Sequence, residues 1–243
     1  MTDRVIAETD PALVEDLVDA NRILYRLGVV DGFGHVSARD PNDPSRFLIS
    51  RSMAPALVTA DDLMAIHLDG RPVSDNAPTP YLERFIHGEI YAARPEIVAV
   101  VHSHSSAIIP FTVVPSATLK PLSHMSGFIG DGAPVFEIRD TAGPNNDMLV
   151  RSRALGQALA KSLGGHNIVL MRGHGSTVVG FNLRQAVYRA VYAEVNARQQ
   201  SEALRLGTPT YLTPGEAVES AKANDSQQNR AWDLWKRTIE RTI

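Results

Sequence analysis

The sequence predicts an α/β protein in which helices pack against a largely antiparallel sheet. Short strand-like segments come in pairs joined by turns, amphipathic helical segments lie between those pairs, and regular strand–helix alternation is absent. A chain of 243 residues is long enough to bury a substantial core. No linker-like or low-complexity segment divides it. We therefore expect a single domain over residues 1–243 that ends in a helical tail over about 214–243.

The first part of the chain predicts a helix followed by three strands and a second helix. Asp10 and Pro11 are typical of a helix start, and an apolar face follows them as far as Gly28. Apolar and β-branched residues then predict strands at 36–39, 47–50 and 63–68. The first two strands form a predicted hairpin, because a turn rich in Pro and Asp joins them. An amphipathic helix is predicted after Pro80.

The second part of the chain predicts two single strands, a two-stranded hairpin and several helices. Glycines and prolines mark most of the predicted boundaries. In chain order, the predicted elements are a strand at 97–102, a short helix at 105–111, a strand at 134–136, a helix from Asn146 to Leu163, hairpin strands at 168–171 and 177–180, a helix from Asn182 to about Leu206, and helical structure from 214 onward.

Composition excludes several classes of function. The net charge of −3 is spread along the chain, whereas a nucleic-acid partner usually requires a basic face. The absence of cysteine excludes disulfides and thiolate metal sites. No apolar run approaches the roughly 20 residues of a membrane span. The first residues, Met1 to Arg4, lack the pattern of a signal peptide, so we expect a cytoplasmic protein.

Three histidines and one glutamate form a candidate metal site. His102 ends the predicted strand at 97–102 and His104 follows two positions later, so alternation in an extended chain points both side chains the same way. His174 lies between two glycines at the tip of the predicted hairpin, where bare backbone lets an ion approach. Glu83, near the start of the preceding helix, is a candidate fourth ligand. The alternatives are hydrogen-bonded structural histidines and a carboxylate that favours the helix dipole.

The residue types of this set suit several metal ions and a carboxylate substrate. Three imidazoles, with or without a carboxylate, bind Zn²⁺, Mn²⁺, Co²⁺ or Fe²⁺, and the sequence does not choose among them. Arg51, between Ser50 and Ser52, offers a planar guanidinium that fits a carboxylate, and His35 adds a hydrogen-bond donor. A solvated loop arginine is the alternative interpretation of Arg51.

The order and spacing of these residues resemble the class II aldolase/adducin family over most of the chain. The resemblance implies an α/β/α fold around a nine-stranded sheet, and often a cyclic homotetramer with active sites between neighbours. It also implies that the histidines bind a divalent metal and that the glutamate is a metal ligand, an acid/base group or both. The matching segments are Glu83, Arg94-Pro95, Val100 to His104 and Leu170 to Gly175.

The chain departs from the sugar-phosphate aldolases of that family where their phosphate binds. Those enzymes have Gly-Asn, Thr-Gly and Ser-Ser pairs that hold phosphate through small hydroxyls and backbone donors. A tyrosine that protonates the leaving carbonyl in those enzymes matches Met125 here. We therefore do not expect cleavage of a sugar phosphate. The pairs that replace the phosphate cradle are Gly34-His35, Ser52-Met53 and Tyr81-Leu82.

The replacing residues resemble the decarboxylases of the family, which act on hydroxylated aromatic or pyridine dicarboxylates and related ring-cleavage products. This resemblance implies a metal-dependent carbon–carbon lyase whose metal stabilises a carbanion or enolate. Glu83 or His124 would protonate the product carbon, and the substrate-binding residues would be His35, Ser50, Arg51 and Ser52. An aldolase for a non-phosphorylated hydroxy acid or ketose is the alternative. A non-catalytic, adducin-like module ranks last, because the predicted ligands are all present.

Overall fold

Seven strands form one sheet within residues 4–240, the part of the chain that the computed structural model describes. Their order across the sheet is β3-β2-β1-β4-β7-β6-β5. All neighbouring pairs are antiparallel except β5 and β6, which are parallel, so the sheet is mixed. The described strands number seven rather than the nine that the resemblance implies. They are β1 (His35–Arg39), β2 (Arg46–Ser50), β3 (Leu63–His67), β4 (Ala99–Ser103), β5 (Val135–Phe136), β6 (Ile168–Met171) and β7 (Gly175–Gly180).

Helices cover both faces of this sheet and confirm the predicted α/β/α architecture. Because successive strand side chains point to opposite faces, Val101 packs into one apolar cluster and Val100 into the other. Helices α2, α7 and α9 cover the first cluster, and α3 and α6 cover the second. The helices are α1 (Arg4–Glu8), α2 (Pro11–Arg26), α3 (Arg84–Ala93), α4 (Ile109–Val113), α5 (Arg139–Ala142), α6 (Arg153–Leu163), α7 (Leu183–Leu206), α8 (Pro214–Asp225) and α9 (Gln228–Glu240).

The helix predicted from Asn146 begins seven residues later, at Arg153 with Ser152 as its cap. The side chains of Asn146 and Asp147 accept hydrogen bonds from the backbone N–H groups of residues 148 and 149, a local turn that competes with helix. Met148 also has a positive φ of 67°, which ends any helical run. Residues 146–152 therefore form a loop, and this loop contacts the candidate ligands Glu83 and His174. The short helix predicted at 105–111 lies slightly later, as α4.

The predicted helical tail consists of two helices that pack on the body of the protein. Trp232 on α9 is fully buried against α2 and α7, and Lys236 forms ion pairs with Glu15 and Asp19 of α2. Helix α8 instead packs on the 3₁₀ helix His124–Ile129. Among the described helices, none is both long and apolar enough to span a membrane.

Candidate metal centre

The sheet and α3 bring together the four predicted ligands, whose ligating atoms all lie within 4.8 Å of one another. His102 is the penultimate residue of β4, and His104 is the first residue after that strand. His174 lies in the turn between β6 and β7, which pairs directly with β4. Glu83 precedes the first residue of α3. The antiparallel register thus places the tip of the β6–β7 hairpin beside the end of the histidine strand.

Four nitrogen and oxygen atoms face a common centre. His104 Nε2 and His174 Nε2 are 2.9 Å apart, and Glu83 Oε2 lies 3.4 Å from His174 Nε2 and 3.6 Å from His102 Nε2. His102 Nε2 is buried and has no hydrogen-bond partner among the described residues. Buried polar atoms in proteins are nearly always paired, so this unpaired nitrogen fits a missing ligand. A divalent cation held by three imidazoles and a carboxylate would satisfy it.

Hydrogen bonds on the far side of three of the four ligands fix their orientations. His102 Nδ1 donates to the carbonyl of Ser176 at 3.1 Å, and His174 Nδ1 donates to the carbonyl of Met148 at 2.8 Å. Glu83 Oε1 accepts from the backbone N–H of Val150 at 2.8 Å. His102 and His174 therefore turn Nε2 to the centre, as metal-ligating histidines do when Nδ1 is engaged. The loop 146–152 supplies two of these three partners.

The protonation states of Glu83, His102 and His104 suit a divalent cation, whereas His174 favours a bound proton that a cation would displace. Burial raises the pKa of Glu83, but the hydrogen bond with His174 and the charges of His102 and His174 outweigh it and lower that pKa to about 2. Burial holds the pKa of His102 well below its usual range and lowers the pKa of His104. Burial also lowers the pKa of His174, but Glu83 more than offsets this, so its pKa is raised. Ionised carboxylate and neutral imidazole are the forms that bind metal.

A cavity of about 340 Å³ opens beside the cluster and has mainly apolar walls. Phe33 and Leu82 on its lining are largely exposed, at 69% and 59%. Phe33 also stacks near His104, with ring centroids 6.2 Å apart. The polar members of the lining are few. The residues that line the cavity are Gly32, Phe33, Gly34, His35, Ser52, Met53, Ala54, Tyr81, Leu82, Glu83, His104 and Leu149.

Two of the four predicted substrate-binding residues line this cavity, and the other two lie outside its lining. His35 and Ser52 are on the lining. Arg51 is outside it, and its Nε is 2.7 Å from Asp62 Oδ1. Ser50 is also outside the lining and donates to the Tyr81 hydroxyl at 3.1 Å, because that hydroxyl donates its own proton to the carbonyl of Met53. Ser50 therefore holds Tyr81, which lines the cavity, in place.

His124, predicted as a proton donor, does not line the cavity of this chain. It is exposed at the start of a 3₁₀ helix, where its carbonyl accepts a hydrogen bond from Asn224 of α8. Of the two candidates for that role, only Glu83 is at the cavity.

Sequence reasoning missed Phe33, Leu149 and the backbone contacts of the loop 146–152. Leu149 lies in the segment that the sequence predicts as the first part of a helix, so nothing marked it as a cavity residue. Phe33 lies between two glycines, which is a signal for an exposed loop. His87 is buried one helical turn after Glu83. It hydrogen-bonds to His35 at 2.7 Å.

The fold is that of a class II aldolase-like protein, and sequence comparison agrees. Residues 15–201 match the family described as Class II Aldolase and Adducin N-terminal domain. The chain is 35% identical to Decarboxylase tropJ of Talaromyces stipitatus, over 93% of this chain and 94% of that protein. It is 32% identical to 3,4-dihydroxyphthalate decarboxylase of Terrabacter sp., over 75% of this chain and 77% of that protein. The chain belongs to the class II aldolase/adducin family.

Solved structures show the same fold at lower sequence identity. An L-fuculose 1-phosphate aldolase superposes with a TM-score of 0.74 at 19% identity, covering 89% of this chain and 98% of that chain. An aldolase II superfamily protein from Pseudomonas syringae gives 0.78 at 21% identity, covering 97% of this chain and 96% of the other.

Proposed function

We propose that this protein is a divalent-metal-dependent decarboxylase of a hydroxylated aromatic or pyridine carboxylate, or of a related ring-cleavage product. The proposal rests on the position of the four-ligand cluster beside a cavity whose walls are mainly apolar. The names of the tropJ and dihydroxyphthalate relatives, both decarboxylases, support the same reaction. A lyase of the class II aldolase type is the broader assignment that these relatives and the family carry.

The walls of the cavity favour a planar ring over a polyhydroxylated sugar. Apolar side chains such as Met53 and Leu149 offer no partner for sugar hydroxyls, and buried hydroxyls without partners are costly. An aromatic ring instead gains from contact with Phe33, Tyr81 and Leu82. The volume of about 340 Å³ is at the lower end of the range for small-molecule sites and suits a single substituted ring.

Decarboxylation breaks the bond between the ring and its carboxylate carbon. The electron pair stays on the ring carbon, CO₂ leaves, and a proton takes its place. A divalent ion held by Glu83, His102, His104 and His174 would act as a Lewis acid that lowers the energy of this negative charge. The chain itself binds the ring against the apolar wall and excludes water. Glu83 is the candidate proton carrier on the cavity lining, and because its carboxylate is ionised it would first accept the proton from a substrate hydroxyl or from water.

The test is to load the protein with Mn²⁺ or Zn²⁺ and to offer 3,4-dihydroxyphthalate together with hydroxylated pyridine dicarboxylates. We expect stoichiometric release of CO₂ that stops when the ion is chelated. Release of an aldehyde from a non-phosphorylated hydroxy acid or ketose would support the aldolase alternative. Failure of every substrate with a fully loaded site would favour the non-catalytic alternative and contradict the proposal.

We also propose the homotetramer that the family resemblance implies. Exposed apolar side chains, Phe33 and Leu82 on the cavity lining and Leu57 three residues after the lining residue Ala54, support burial of this region by a neighbour. Light scattering of the purified protein should give four times the chain mass of 26.4 kDa, and a monomer at micromolar concentration would contradict this expectation.

A further inference from the structure

A row of four buried polar side chains connects the cavity to the protein interior. His35 Nδ1 lies 2.7 Å from His87 Nε2, His87 Nδ1 lies 2.6 Å from Ser37 Oγ, and Ser37 Oγ lies 2.8 Å from the Tyr91 hydroxyl. His35 is 4% exposed, and the other three are 1% exposed or less. We call these four residues the His35–Tyr91 row. His87, Ser37 and Tyr91 are neither candidate metal ligands nor participants in the proposed reaction.

Tyr91, at the end of the row away from the cavity, sets the direction of the hydrogen bonds along the row. The Tyr91 hydroxyl has one proton and two neighbouring acceptors, Ser37 Oγ at 2.8 Å and the carbonyl of Val98 at 3.4 Å. An O–H···O bond is normally 2.5–3.0 Å long, so the proton belongs to the contact with Ser37. Ser37 must then donate its own proton onward to His87 Nδ1.

His87 transmits this direction to His35. Burial lowers the pKa of His87 to about 3, so the ring is neutral and has a single N–H. Because Nδ1 accepts from Ser37, the proton is on Nε2 and is donated to His35 Nδ1. A neutral His35 that accepts at Nδ1 has its own proton on Nε2. No described residue forms a hydrogen bond with that nitrogen, and His35 lines the cavity.

We propose that His87, with Ser37 and Tyr91, is a positioning residue that fixes the tautomer of His35, so that His35 donates its Nε2–H to an anionic oxygen of the substrate. This inference rests on the proposed function for its ligand, a carboxylate or phenolate oxygen. The His35 ring lies 5.0 Å from the ring of His102, which places the donor beside the metal-ligand cluster. A neutral donor there binds an anion without adding positive charge near the cation.

The test reads the tautomer directly by NMR. The Zn²⁺-loaded protein, labelled with ¹⁵N-histidine, distinguishes Nε2–H from Nδ1–H by long-range proton–nitrogen correlations, and His35→Asn assigns the signal. We expect Nε2–H for His35 in the wild type, and a mixture of tautomers in His87→Leu and in Ser37→Ala. The Ser37→Ala variant keeps the experiment decisive if His87→Leu does not fold. Nδ1–H in the wild type, or an unchanged tautomer in both variants, overturns the proposal.

Ligand binding provides the second readout. Salicylate, an aromatic carboxylate with one hydroxyl, is the probe, and calorimetry measures its Kd. We expect about tenfold weaker binding in His87→Leu, with partial recovery in His87→Gln because the amide can still donate to His35. His67→Gln, a histidine substitution outside the row, should bind salicylate as the wild type does. A Kd unchanged in His87→Leu contradicts the proposal.

The two proposals fail differently. A correct tautomer in a protein that releases no CO₂ would remove the proposed function and leave the positioning role in place. CO₂ release by a protein whose His35 has its proton on Nδ1 would do the reverse.

Discussion

The Nε2 atoms of His104 and His174 lie 2.9 Å apart, although 70 positions of chain separate the two residues. Only one of two facing ring nitrogens can hold the proton between them, so the other presents a lone pair to the centre. Glu83 Oε2 and the unpaired His102 Nε2 border the same space. The fold thus concentrates electron-pair donors, an arrangement that a bound cation stabilises.

Removing one imidazole should remove the metal. We expect His102→Ala to reduce the affinity for Zn²⁺ or Mn²⁺ by at least 100-fold, because the loss of even an outer partner of a ligand costs 10–100-fold. Metal content after dialysis, measured by mass spectrometry, checks this. His67→Gln is the matched control and should retain one ion per chain. Full metal content in His102→Ala would contradict the assignment of His102 as a ligand.

Glu83→Gln separates the two roles of the carboxylate. The amide oxygen can still accept from the N–H of Val150, so the local structure should persist while the charge is lost. We expect at least a 100-fold drop in the rate of CO₂ release. Metal content measured on the same sample decides the reason. Loss of the ion assigns Glu83 as a ligand, whereas an inactive protein with its ion retained assigns it to proton transfer.

The apolar wall should govern substrate binding more than turnover. Leu82→Asn places an amide on the cavity lining, where it opposes contact with an aromatic ring. We expect KM to rise about tenfold, equivalent to about 1.4 kcal/mol, with kcat changed much less. Leu234→Asn is the control, since Leu234 on α9 is about as exposed as Leu82 and lies outside the lining. Equal effects of both substitutions would argue against a substrate contact at Leu82.

The buried His87 should make the protein sensitive to acid. Its pKa is about 3 in the folded chain and about 6.5 when exposed, so between these values only the unfolded state binds the proton. The free energy of unfolding therefore falls as the pH drops below about 6.5, by about 2 kcal/mol from pH 7 to pH 5. Urea unfolding of the wild type and His87→Gln at both pH values measures this. The variant should lack this part of the pH dependence, and identical pH dependence would contradict the low pKa.

Local sequence signals predicted most elements because their causes are local. Asp10 caps α2 through its own side chain, and Asn182 caps α7 in the same way. The helix predicted from Asn146 is wrong for a reason that is also local but weaker, since the same polar residues that cap helices form turns. The parallel pairing of β5 with β6 left no signal in the sequence, because strand direction depends on the path of the intervening chain.

The sequence by itself determined the α/β class, the family and the four candidate metal-ligand residues, because strand alternation and the spacing of histidines are encoded along the chain. Only the tertiary structure decided what surrounds them. It turned Arg51 toward Asp62, left His124 outside the cavity and connected His35 to His87 and Tyr91. These relationships join residues distant in sequence through side-chain packing and hydrogen bonds. No periodicity or motif in the sequence predicts these relationships, since each depends on how the sheet packs against its covering helices.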